Sequence, residues 1–192
     1  MMPVDSLNSG PVNRRGRLLV ASPALTDPNF VRTVLLMLEH SAEGALGLVL
    51  NRPTTLVAGQ ALPGPLAEAV GAERPVFQGG PVQPEAVILL ADFVDPAQAA
   101  SLAVASVGVV DPGGDTGDLR DRVRAVRAYG GYAGWGAGQL EREIAEGAWM
   151  DVEATVADVF AEDVSDLWRA VVHRKGGAFR ALAQMPDDPS VN

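Results

Sequence analysis

Apolar residues in this chain come in short bursts cut by glycine and proline, a punctuation that predicts strands before helices. Residues 17–21 (RLLVA) and 33–39 (TVLLMLE) are the first two bursts, with SPALTDPNF between them. Asp27-Pro28-Asn29 supplies turn chemistry there, since proline fixes φ and the Asp and Asn side chains bond the local backbone. Residues 45–50 (ALGLVL) follow Glu43-Gly44 closely enough to form a hairpin with 33–39. Residues 76–78 and 86–91 flank Gly79-Gly80-Pro81, and 102–110 is a further β-branched run. Helical periodicity emerges later, over 139–146, 156–160 and 164–174. In the last of these, Leu167, Ala170, Val171 and Arg174 keep i, i+3, i+4, i+7 spacing, and Gly176-Gly177 stops the helix. No solenoid-length period repeats. Strands first and helices late predict a single α+β domain. Its β core is expected to be mostly antiparallel, with short helices concentrated toward the C-terminal half. A mixed sheet with one βαβ crossover is the competing arrangement.

Residues 1–16 have no apolar core of the kind a signal peptide carries and read as a flexible N-terminal arm. Residues 186–192 (PDDPSVN) read as a flexible tail, which leaves 17–185 as the domain. Apolar runs such as Val34 to Leu38 are strand-sized and far short of the ~20 residues of a membrane span. The expectation is a cytoplasmic protein without membrane contact. Cysteine is absent, which excludes a disulfide scaffold, a thiolate metal site and a cysteine nucleophile. A net charge of −9 repels phosphate backbones at long range, so tight intrinsic nucleic-acid binding is not expected without a local basic patch.

The chemistry that remains is concentrated in a few places. GYAGWGAGQLEREIAEGAW, residues 131–149, holds five glycines and two of the three tryptophans around a short acidic helix. Its glycines allow φ > 0 or close backbone approach, and Tyr132 and Trp135 are apolar bodies with polar tips. In that helix Leu140 and Ile144 share the inward face, Gln139, Glu143 and Glu146 share another, and Glu141 lies opposite Glu143. The carboxylates therefore do not form an acid/base pair within the helix. One reading is a strand–turn–helix corner staked by two tryptophans. The other is a rim presenting N–H groups and Gln139 to an anion. Phosphate-loop and dinucleotide templates both fail. His40 ends a strand with Glu39 on the opposite sheet face, and His173 sits near a helix end, so no metal or other cofactor is expected. Asn51-Arg52-Pro53 places an amide and a guanidinium at the rim of the sheet, where the fork of Arg52 suits a carboxylate or phosphate. Gln78-Gly79-Gly80-Pro81 reads as a second tight turn. If these turns met Gln139 at one edge they would form a polar pocket, so the candidate ligand-binding residues are His40, Asn51, Arg52, Gln78, Gly79, Gly80, Gln139 and Glu143. No catalytic residue is assigned. Arg120, Arg124 and Arg127, interleaved with Asp115, Asp118 and Asp121, read as a solvated and partly compensated face.

GRLLVASPALTDPNFVRTVLLMLEH, GALGLVLNRP, FQGGPV and GYAGWGAGQLEREIAEGAW occur in the order, and with the features, of the YqgE/AlgH family of bacterial proteins. The chain resembles that family from Gly16 to about Met185. The resemblance implies a single α+β domain with a mostly antiparallel core, and it assigns no catalytic role to any residue. One branch of the family carries the label of a transcriptional regulator. Some relatives place a cysteine before the Glu-His pair; here Met37-Leu38 precede Glu39, so thiol redox chemistry does not carry over. The functional expectation is a regulatory module binding a small ligand or a protein. The alternatives are a DNA-associated regulator, or an enzyme acting on a small anion at the Asn51, Gly79-Gly80 and Gln139 edge.

Overall fold

The run VRAVRAYGGYAGWG forms one strand of fourteen residues, Val123–Gly136, around which the rest of the chain is arranged. In the computed structural model, which describes residues 12–111, 113–114, 118–177, 179 and 181, ten strands form a single sheet. They are β1 (Arg17–Ala21), β2 (Val34–Ser41), β3 (Gly44–Val49), β4 (Pro53–Val57) and β5 (Pro75–Gln78). β6 (Val82–Phe93), β7 (Ser101–Val104), β8 (Val107–Val109), β9 (Val123–Gly136) and β10 (Trp149–Glu153) complete the set. The order is β10-β1-β2-β3-β9-β6-β8-β7, with β5 beside β9 and β4 on β5. Every pairing is antiparallel except β5 with β9. Among the described residues six short α-helices decorate the sheet: α1 (Ala58–Ala61), α2 (Gly64–Val70), α3 (Leu119–Arg122), α4 (Gln139–Ala145), α5 (Val156–Val159) and α6 (Leu167–Lys175). The chain is thus the expected α+β domain with a large antiparallel sheet. Among the described residues no helix is long and apolar enough to cross a membrane.

β9 reaches all three hydrophobic clusters. Tyr129 joins Leu18, Leu36, Leu48, Phe77 and Trp168 in the largest. Val126 and Ala128 join Val70, Leu89, Phe93 and Leu119 on the opposite face, beneath α2 and α3. Farther along, Ala133 and Trp135 meet Leu19, Leu35, Leu140 and Trp149. The strand also changes partners along one edge. Its C-terminal end pairs with β3 at Gly44↔Gly136 through Gly47↔Ala133, whereas Tyr129 and Gly130 pair with β5. Gly79 and Gly80 make the exchange: Gly79 N–H donates to Gly130 O, and Val49 N–H donates to Gly79 O, both at 2.8 Å. A Cβ on Gly79 would stand 2.3 Å from Gly131 O, and one on Gly80 would stand 2.1 Å from the Tyr132 carbonyl carbon. The pair is therefore a buried backbone crossing, not the tight turn its sequence suggests.

Several other elements differ from the pattern reading. Residues 102–110 contain two strands, β7 and β8, because Ala105 adopts φ +50° and reverses the chain. Pro53 does not stop a strand but begins β4, a position where the missing N–H costs no ladder bond. α1 and α2 occupy residues 58–70, which carry no clear amphipathic period. Residues 118–128 divide between α3 and β9, so Arg120, Arg124 and Arg127 do not form one helical stripe.

Residues 12–16, the inner end of the expected arm, are held by the domain. Gly16 N–H donates to Met37 O at 2.8 Å, and Arg15 Nε donates to Leu102 O at 2.7 Å. Arg14 and Arg17 both pair with Asp151 through Nε, at 3.2 and 2.6 Å. Residues 1–11 and 186–192, the remainder of the expected arm and the tail, lie outside the described residues.

Asp158 ties α5 to α6. Thr155 and Asp158 form a capping box, and Arg174 grips the same carboxylate with Nη1 and Nη2 at 2.7 and 2.8 Å. Burial raises the Asp158 carboxyl, but hydrogen bonds from Arg174 and Thr155 outweigh it and hold it below the ordinary carboxylate range. A depressed folded-state pKa contributes stability that is present above the unfolded value and lost as pH falls through the folded one. Asp158→Asn is expected to cost on the order of 2 kcal/mol at pH 7. Its deficit against the wild type should shrink steadily below about pH 4, as urea titrations across pH will show. Gly79→Ala is expected to destabilise by more than about 3 kcal/mol, since the added methyl would meet the Gly131 carbonyl oxygen at 2.3 Å and cannot rotate away. Thermal unfolding of that variant checks the crossing.

Candidate functional site

The Gly131–Trp149 segment resolves into a closed aromatic joint. Gly138 takes φ +68° and turns the chain from β9 into α4. α4 then projects Glu143 between the two buried tryptophans. Glu143 Oε2 accepts the indole N–H of Trp135 at 2.8 Å and that of Trp149 at 2.7 Å. Its other oxygen accepts from Gln139 Nε2 at 2.8 Å, and Gln139 Oε1 accepts Gly136 N–H. The two indole rings meet edge to face at 5.9 Å, and Phe30 packs on both. Leu140 and Ile144 seat the inner face of the helix, as its spacing predicts. Gln139 and Glu143 are both engaged in this joint.

His40 is buried at the end of β2, and both of its ring nitrogens are engaged. Nδ1 accepts Arg14 N–H at 3.1 Å, which places the proton on Nε2, and Nε2 donates to Glu141 Oε1 at 2.6 Å. Burial raises the Glu141 carboxyl, yet its own backbone N–H, the His40 ring and the Arg14 charge together hold it below the ordinary range. A ring filled on both sides orients strands and the residue 12–16 segment; it has no nitrogen left to take a substrate proton.

Asn51, Arg52, Gln78, Gly79 and Gly80 do come together, but around backbone. Asn51 Oδ1 accepts Val34 N–H at 3.0 Å and its Nδ2 donates to Arg32 O at 2.9 Å, so the side chain imitates a strand neighbour. Arg52 Nη2 donates to Val31 O at 2.9 Å, and Arg52 O accepts Gln78 N–H at 2.8 Å. The loop these residues hold carries Phe30, which leans on the tryptophan joint. The two groups of candidate residues thus communicate through loop 27–33 and share packing, not a polar pocket.

A cleft that gathers several arginines lies elsewhere, along the β9 edge opposite β6. It measures about 410 Å³ and adjoins a hollow of about 300 Å³. Its walls are Glu68, Val70, Gly71 and Arg74 from the α2 end, Arg120 from α3, Arg124 to Arg127 from β9, and Phe160 and Glu162 beyond α5. Arg127 is buried. Nη1 and Nη2 donate to Val159 O and Ala161 O at 2.9 and 2.8 Å, while the guanidinium lies 4.4 Å over Phe77. Beside it, burial pushes the Tyr129 hydroxyl up to about 12, against the Arg127 charge. Arg124 bonds Asp92 and Phe93 O and stays half exposed. Arg74 and Arg120 are exposed, and neither has an ion pair or side-chain hydrogen bond among the described residues. The reading of this region as a solvated face holds for Arg120 but fails for Arg127, an arginine at an inward strand position between Val126 and Tyr129. Arg74, Phe160 and Glu162 carried no signal in the sequence, because only tertiary structure brings them here. Among the described residues no group of three His, Asp or Glu side chains could hold a metal ion.

Comparison with known proteins gives a consistent result. The AlgH-like family model matches residues 18–180. A UPF0301 protein of Streptomyces coelicolor is 44% identical over 183 residues, covering 92% of this chain and 94% of that protein. One from Thermobifida fusca is 41% identical over 188 residues, with coverage of 92% and 94%. A crystal structure of a Corynebacterium diphtheriae protein superposes with TM-score 0.82 at 26% identity, covering 90% of this chain and 92% of that one. The solution structure of the AlgH protein of Pseudomonas aeruginosa gives 0.70 at 26% identity, with coverage of 94% and 98%.

The tryptophan joint generates a stability prediction. Trp135→Ala and Trp149→Ala should each cost about 3–5 kcal/mol. Glu143→Ala strands two indole N–H donors and should cost about 2–4 kcal/mol, against about 1 kcal/mol for Gln139→Ala. Urea denaturation followed by far-ultraviolet circular dichroism measures all four. A Glu143→Ala protein of wild-type stability would remove the carboxylate from this account.

Proposed function

The chain belongs to the AlgH-like family, and on that premise we propose that it is a binding module whose ligand carries an anionic group seated in the arginine-lined cleft at the β9 edge. The observation that supports this is the concentration of four guanidinium groups on one cleft in a chain of net charge −9, with Arg74 and Arg120 unpaired among the described residues. Fixed positive charge within low-dielectric walls focuses field into the cleft and selects anions despite the overall charge. The guanidinium fork then grips carboxylate or phosphate oxygens in two directions at once. Two of the groups that could carry acid–base chemistry, His40 and Glu143, are held in internal hydrogen bonds. His40 uses both nitrogens, and Glu143 accepts from two indoles and an amide. That favours binding over catalysis. Glu68 and Glu162 flank the same cleft, which limits it to a compact anionic group and disfavours the phosphate track of a DNA duplex.

Calorimetric titration with citrate and with inorganic pyrophosphate tests the reading. At least one is expected to bind with a Kd below about 5 mM at low salt, weakening as salt rises. Arg74→Ala and Arg120→Ala should each weaken it by roughly 5- to 10-fold, as expected for one charge-assisted contact. Unchanged binding in the double variant would overturn the assignment, as would a Kd below about 1 μM for duplex DNA at ~150 mM salt.

A further inference from the structure

The same cleft contains a second recognition feature, in backbone. On the far side of β6, Val110 N–H donates to Leu89 O and Phe93 N–H donates to Ser106 O. Leu89 and Phe93 therefore direct their main-chain groups toward β8, and by strand alternation Leu90 and Asp92 direct theirs toward β9. Their partners there are Arg127 and Ala125. Val126, between them, must turn its N–H and C=O away from β6 and into the cleft. Among the described residues no strand fills that position. β5 pairs with β9 only at Phe77↔Tyr129 and Gln78↔Gly130. Pro75, with no N–H to donate, cannot carry the pairing farther. Val126 is 8% exposed and lines the cleft. An outward N–H and C=O on one residue are the complement of one residue of an extended chain, and a bare anion cannot satisfy both.

Building on the anion-binding reading, we propose that the occupant is an extended acidic segment of a protein partner, which adds as a short strand beside Val126 in line with β5. Its carboxylates would face Arg74 and Arg120, the two cleft guanidinium groups without a partner among the described residues. The irregular register where Asp92↔Ala125 gives way to Phe93↔Val123, and the start of α3 just before, confine the contact to a few residues. A contact so short gives modest affinity, in which charge and backbone pairing must act together.

The test uses the full chain, isotopically labelled, and a capped heptapeptide of alternating Glu and Val. Controls are the Gln-for-Glu peptide and two versions N-methylated on one or the other alternate set of amides. The Glu-Val peptide should bind with a Kd in the range of about 10–500 μM, shifting the Val126 amide and slowing its exchange with solvent. The Gln peptide, one of the two N-methylated peptides and the Arg74→Ala/Arg120→Ala protein should each lose at least about tenfold. Full binding by both N-methylated peptides would overturn strand addition and leave the anion reading standing. Citrate or pyrophosphate binding with no response to the Glu-Val peptide would do the same. Equal binding of the Gln peptide would overturn the acidic partner, and the absence of any response to peptide or anion would overturn both readings.

Discussion

Two polypeptide backbones can approach to direct contact only where neither carries a side chain between them, and this sheet is built on one such approach. Gly79-Gly80 lies against Gly130-Gly131, and the contact lets β9 exchange β5 for β3 along the same edge. Because β9 contributes to all three hydrophobic clusters, the crossing sets how those clusters sit relative to one another. Buried backbone amides must be paired somewhere. Here the pairing runs through Gly130 O, Gly79 N–H, Gly79 O and Val49 N–H in one relay between the two strand systems. A β-strand rich in glycine forfeits side-chain packing and conformational entropy. The arrangement recovers that loss by burying the aromatic residues that alternate with the glycines, Tyr129 and Trp135, on either side of the crossing.

How far the sequence discloses this depends on whether each signal is local. β1, β2 and β3 were readable because each is an apolar run with turn residues at its ends, and α4, α5 and α6 because their apolar positions repeat at helical spacing. β9 was not readable as one strand. Gly130, Gly131, Gly134 and Gly136 suppress the alternation that identifies strands, and what Gly130 and Gly131 make room for is backbone about fifty residues away. The candidate site shows the same division. Trp135, Trp149, Leu140 and Ile144 were legible as an architectural corner, but the role of Glu143 was not, because an exposed and a bridging glutamate look alike on a helix. His40 and Glu141 are 101 positions apart, and nothing local to either announces the other. Arg127 left a trace, a charge in an inward strand position, which composition alone read as solvated.

The polar groups divide into those that close the fold and those that remain open. Asn51, Arg52, Gln139 and Glu143 each satisfy backbone or indole groups that would otherwise be left bare at the sheet rim. They hold loop 27–33 and α4 against the sheet. At the other end of β9 the donors outnumber the acceptors, and positive charge collects where a strand edge ends early. Exposed strand edges invite unwanted pairing, and charged side chains beside them are a common safeguard. The arginines around Val126 can therefore exclude most strands while admitting one of opposite charge.

The pairing of β1 with β10 has a consequence for the newly made chain. Arg17 lies opposite Glu153 and Ala21 opposite Trp149, so β1 leaves the ribosome long before the strand it pairs with. At ordinary elongation rates that interval is on the order of ten seconds. During it the edge of a strand as apolar as Leu18-Leu19-Val20-Ala21 has no partner from its own chain. Trp168, whose indole N–H donates to Ala21 O, arrives later still. Until β10 is made, that edge is without the partner that covers it in the finished fold.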